Sequence, residues 1–176
     1  KAWIEQHGVA PLEFRVVPVP VTVPDENHRK AFVSAVKNAG IQSPALVVVD
    51  TLARNFGPGN ESLAQDMNQF VAGCDALREA FAETTVLAVH HSGKMQKRGA
   101  RGSLALKAAA NSVFALVRAG DGMKLISEKQ KDGDMIEPIH LGLADICLPD
   151  GGTSCVIGAS KPGAVPHATD DPRTKE

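Results

Sequence analysis

The run Ala45-Leu46-Val47-Val48-Val49-Asp50-Thr51 sets five apolar side chains, three of them β-branched, directly before a carboxylate and a hydroxyl. Such a run reads as a strand buried on both faces, the mark of a central parallel strand in an α/β sheet rather than an alternating, half-wet one. Ligands in open α/β sheets sit beyond the carboxyl ends of the strands, so Asp50 stands where chemistry is expected. The plainer reading of Asp50 is a residue that ends the strand and turns the chain.

Thr84 to Val89 repeats the pattern and ends in His90-His91-Ser92-Gly93-Lys94. Between the two runs, about Ser62 to Ala82 carries Met67, Phe70, Val71, Cys74, Leu77 and Phe81 at three- and four-residue spacing, which predicts a crossover helix with Cys74 buried in its stripe. Both strands then finish at one edge in chemically capable residues. Tandem histidines on a strand diverge, so only one of His90 and His91 faces a cleft there. The Gly-, Asn- and Pro-rich segment Thr51 to Ser62 reads as a polar loop over that edge.

On the amino-terminal side, Lys1 to His7 reads as the end of an amphipathic helix stopped by Gly8, its start lying before the first residue. Glu13 to Pro18 reads as a short strand, followed by Pro18, Pro20 and Pro24. Asp25 offers an N-cap for a helix with Phe32, Val33 and Val36 on one side, ending at Gly40. On the carboxyl-terminal side, Lys94, Lys97, Arg98 and Arg101 lie among Gly93, Gly99 and Gly102. That segment is either a solvated loop or one that neutralises phosphates. Ser103 reads as the cap of an Ala-rich helix over Leu104 to Asn111. Val113 to Val117 and Met123 to Ser127 flank the turn signal Ala119-Gly120-Asp121-Gly122. Glu128 to Asp134 holds Lys129 and Lys131, two apart and therefore on one side of an extended segment, either a charged turn or a cationic fork for phosphate. Ile139 to Leu148 and Thr153 to Ile157 read as an antiparallel pair, and residues 158–176 as a disordered tail.

The 176 residues suffice for one domain with a sizeable core. Net charge is −1, so no global basic field announces nucleic acid, and any such contact is local. Cys74, Cys147 and Cys155 form no CxxC pair, which argues against a disulfide framework or zinc site and suits a cytoplasmic location. No apolar run reaches the ~20 residues of a membrane span.

In order, Val47-Val48-Val49-Asp50-Thr51, His90-His91-Ser92-Gly93-Lys94, Arg98-Gly99-Ala100-Arg101-Gly102-Ser103 and Lys129-Gln130-Lys131-Asp132-Gly133 resemble the C-terminal half of the RecA-like ATPases related to RepA, the plasmid-replication hexameric helicase. The resemblance covers roughly residues 1 to 157. It implies a partial RecA-like P-loop NTPase core, a mostly parallel sheet flanked by helices, with antiparallel strands toward the C-terminus. It also implies ATP and Mg2+ as ligands, single-stranded DNA as partner and a homo-hexameric ring. By this resemblance Asp50 is the acid that supports magnesium through water. Asp50, Thr51, His90, His91, Arg101 and Arg118 surround nucleotide, with His91 the better candidate for the γ-phosphate sensor. Lys94, Lys97, Arg98 and Arg101 meet DNA. Lys129 and Lys131 match a Lys-x-Arg pair that reaches the neighbouring subunit's nucleotide. Lys stands here where an Arg finger is common, and an ammonium cannot make the two-pronged contact of a guanidinium; Arg101 and Arg118 are the substitutes.

The sequence also departs from the pattern: G-x-x-x-x-G-K-[S/T] occurs nowhere in it. The resemblance implies that this loop and the catalytic glutamate lie upstream of Lys1, and that the chain alone holds half an ATP site and does not turn ATP over. A non-catalytic RecA-like module that binds DNA or a partner is the alternative. A metal-dependent hydrolase using Asp50, His90 and His91 is weaker, because no HxxE or HxH ligand spacing accompanies them.

Overall fold

The computed structural model describes residues 2–8, 14–91 and 101–159, the side chains of 101–103 excepted. In chain order its elements are α1 (Ala2–His7), α2 (Glu26–Asn38), β1 (Leu46–Asp50), α3 (Leu52–Asn55), α4 (Ala64–Ala80), β2 (Thr85–Val89), α5 (Arg101–Ala109), β3 (Ser112–Ala119), β4 (Gly122–Gln130), β5 (Ile139–Cys147) and β6 (Thr153–Ala159). They divide into two compact units, one drawn from Val16–Ala110 and the other from α1 with β3 to β6.

In the first unit β1 and β2 pair in parallel, from Leu46 opposite Thr85 to Asp50 opposite Val89. The buried Thr84 hydroxyl donates to the Pro44 carbonyl and fixes the start of this ladder. Val49, Leu52, Phe56, Met67 and Phe70 form the core with Val23, and Val86, Ala88, Cys74, Ala105 and Leu106 pack against it. The Phe56 and Phe70 rings stack at 5.7 Å. α4 follows the predicted stripe, although Cys74 is only partly buried. Removing that thiol from water still raises its pKa to about 12, with Asp75 adding to the shift. Asp25 caps α2 as its sequence foretells, accepting the His28 N–H at 2.9 Å, and that bond holds its carboxyl below the usual range. The Pro-rich segment is pinned nearby by Arg29, which donates to the Val23 carbonyl at 2.7 Å.

Several expectations need correction. β1 and β2 are covered on one face only: Val49 is 6% exposed, whereas Leu46, Val48 and Leu87 are 50%, 48% and 46% exposed. The burial of β1 alternates residue by residue. Glu13 to Pro18 forms no strand over its described residues; Phe14 and Val16 lie exposed, and without a pairing partner the Pro-punctuated backbone stays irregular. The segment after Asp50 is not all loop, since α3 buries Leu52. α5 starts at Arg101, so Ser103 lies inside that helix rather than capping it.

The second unit is a four-stranded antiparallel sheet in the order β3-β4-β5-β6. Gly120, at φ 61°, and Asp121 make the tight turn between β3 and β4, as the turn signal predicts. A bulge at Glu128 shifts the register between Val113 and Phe114. α1 packs beside β5 and β6, with Ala2 and Val156 both buried. The described residues thus hold a two-stranded parallel sheet and, as expected toward the carboxyl terminus, an antiparallel sheet, the parallel part being the smaller. β6 runs to Ala159, two residues past the boundary expected for the tail.

Candidate functional site

Both strands of the parallel pair end at one edge, and the register places His90 and His91 directly past the neighbour of Asp50. The Asp50 side chain is exposed and makes no hydrogen bond or ion pair with any described residue. Thr51 follows through a cis peptide bond, and the chain enters α3. Asn55, at the end of α3, ties the edge together. Its Nδ2 donates to the Thr51 carbonyl at 2.8 Å, its Oδ1 accepts the Val21 N–H at 2.9 Å, and its carbonyl accepts the Val23 N–H at 2.8 Å.

The loop from Phe56 to Leu63 is internally braced. Asp66 accepts the Asn60 N–H at 2.7 Å, and Asn60 accepts the Ser62 N–H at 2.9 Å. Phe56 anchors one end in the core. Glu61 reaches across to β2, where its Oε2 lies 3.6 Å from His90 Nε2. Within β2, Val86 and Ala88 face the core and Leu87 the open side with Asp50; continued past Val89, that alternation would set His90 on the core side and His91 on the side of Asp50.

Among the described residues no group of three or more His, Cys, Asp or Glu side chains could hold a metal ion, so Asp50, His90 and His91 do not form a zinc-type cage. Magnesium makes a different demand, one carboxylate with water and phosphate oxygens supplying the rest. The exposed, unpartnered Asp50 carboxylate fits that demand. A hollow of about 350 Å³ lined by Asp75, Arg78 and Glu79 lies on the last turns of α4 and contains none of these residues.

Of the other residues singled out, Lys94, Lys97 and Arg98 lie outside the described residues, as does the side chain of Arg101 at the start of α5. Arg118, Lys129 and Lys131 belong to the antiparallel unit. Arg118 pairs with Met123 near the tight turn, while Lys129 pairs with Val113 at the far end of the ladder and Lys131 donates its N–H to the Asn111 carbonyl. Five residues of β3 separate the two places, roughly 17 Å, and alternation turns Arg118 and Lys129 to opposite faces. Arg118 therefore lies apart from the two lysines on this sheet.

A family model for the AAA domain matches residues 4–97, more than half of the chain. The chain belongs to the AAA-domain family. This is a family of P-loop NTPase type, so nucleotide binding and ATPase-type chemistry are the general theme that it brings. The AAA match takes in Asp50, Thr51, Glu61, His90 and His91 and ends before Arg98. No curated protein matches the chain. Asn55 and Glu61 went unnoticed in the sequence. Glu61 was visible as the one acid of a Gly- and Asn-rich loop facing the histidines, but the Asn55 bonds to Val21 and Val23 span more than 30 residues and leave no local trace.

Proposed function

We propose that this AAA-domain chain is the carboxyl-terminal half of a RecA-like ATPase core of the RepA type, in which ATP hydrolysis drives a homo-hexameric ring along single-stranded DNA in the cytoplasm. The core extends to the end of β6 at Ala159. The observation that supports this best is the unpartnered Asp50 carboxylate beside tandem histidines, at the carboxyl edge of a parallel pair inside the AAA match. Asp50 would hold Mg2+ through water, and the ion, when bound, would supply charge that offsets the phosphates' negative charge. A histidine from the end of β2 hydrogen-bonds toward the γ-phosphate. Thr51 lines the same edge. Cations from an adjacent subunit, drawn from Arg101, Arg118, Lys129 and Lys131, stabilise charge on the transferring group. Lys94, Lys97, Arg98 and Arg101 contact the DNA backbone.

The chain has no phosphate-cradling glycine loop, so the other half of the site comes from polypeptide outside these 176 residues. That absence favours a second reading, a RecA-like module that binds DNA or a partner without catalysis. Asp50→Asn, made in the polypeptide that includes the glycine loop, separates the two. The ATPase reading expects turnover to fall by about 10²-fold or more while DNA binding persists; the binding reading expects both to stay unchanged. The 176-residue chain alone is expected to show no magnesium-dependent turnover, and measurable turnover would refute its being half a site.

A further inference from the structure

We infer that Glu61 is a positioning residue, which holds His90 aside so that His91 is the histidine presented to the edge beside Asp50. Adjacent histidines at a strand end compete for the same cleft, and a sequence alone leaves the choice open. The structure supplies two observations that decide it. Glu61 Oε2 stands 3.6 Å from His90 Nε2, and neither side chain is fully solvated, at 30% exposure for His90 and 37% for Glu61. The loop bearing Glu61 is fixed at both ends, by buried Phe56 before it and by the Asp66 and Asn60 bonds around it, so Glu61 is carried to His90 by a braced segment. Glu61 thus engages His90, and the β2 alternation continued two residues past Val89 places His91 on the side of Asp50. The role of His91 toward nucleotide rests on the ATPase reading; the engagement of His90 by Glu61 does not.

Diethyl pyrocarbonate footprinting with mass spectrometry tests this without turnover. The unprotonated imidazole nitrogen attacks the reagent's carbonyl and displaces ethyl carbonate while the other ring nitrogen gives up its proton, so each histidine reports the access to its own nitrogens. In the unmodified chain His90 should react about two- to fivefold more slowly than His91, the range a part-exposed polar contact of less than about 1 kcal/mol supports. Glu61→Gln and Glu61→Ala should each raise the His90 rate toward that of His91 and leave His91 unchanged. Equal rates in the unmodified chain, or a ratio indifferent to both substitutions, would overturn the inference. Repeating the footprint with Mg2+ and a non-hydrolysable ATP analogue, on the polypeptide that carries the glycine loop, addresses the nucleotide. Protection of His91 but not His90 supports its placement at the site. Protection of His90 instead overturns the assignment. Protection of neither, with the Glu61 effect intact, overturns the ATPase reading and leaves the Glu61–His90 pairing standing.

Discussion

Cys74 shows how burial alone can silence a reactive group. Its thiol is pushed up to about 12 from an ordinary 9.0, chiefly by removal from water. As pH rises past 9 the unfolded chain gives up this proton first, so the folded state keeps its full stability below pH 9 and loses it progressively toward pH 12. Denaturant midpoints measured between pH 8 and 11 should therefore fall, and Cys74→Ala should flatten the fall. At pH 8 iodoacetamide should label exposed Cys147 and Cys155 and leave Cys74 untouched until the chain unfolds. Gly73 is a second residue whose role is physical rather than chemical. A Cβ there would sit 2.3 Å from the Val23 carbonyl oxygen, so Gly73→Ala must push α4 off the segment it packs on. Overpacking of this sort costs about 1–3 kcal/mol, and chemical denaturation should show the loss.

At the level of elements, β1 was legible as a strand but its surroundings were not. A continuous apolar run says that a strand is present; it does not say how many layers cover it. The two outcomes separate in adjacent residues. Val49→Ala removes a methyl pair from the core and should cost about 1–2 kcal/mol, whereas Val48→Ala, at 48% exposure, should cost less than about 0.5 kcal/mol. Equal losses at the two positions would mean that the second face is covered after all. The helices α2 and α4 were readable because their apolar spacing and the Asp25 cap are local signals. α3 was not, since four residues hold less than two turns of periodicity, and Leu52 and Phe56 earn their burial from partners far along the chain. The antiparallel strands were readable through their turn, Gly120-Asp121, and less so at their ends, where the Glu128 bulge and the continuation of β6 depend on pairing.

For the whole molecule, a net charge of −1 means that affinity for nucleic acid cannot come from a long-range field. If Lys94, Lys97, Arg98 and Arg101 carry the DNA contact, the binding constant for single-stranded DNA should fall with salt at a log–log slope of roughly −3, reflecting about four displaced counterions. A slope near zero would remove DNA from the reading. The candidate residues are shared between two compact units, Asp50 with the tandem histidines in one and Arg118, Lys129 and Lys131 in the other. The sequence displayed the first group because strand ends advertise themselves. The pairing of His90 with Glu61 was beyond it, because no spacing rule joins residues 29 apart. The most direct test of the central claim is magnesium-dependent ATP hydrolysis by the polypeptide that supplies the glycine loop, compared with its Asp50→Asn variant. The account predicts turnover in the first and a loss of about 10²-fold or more in the second; full turnover with Asn at position 50 would contradict it.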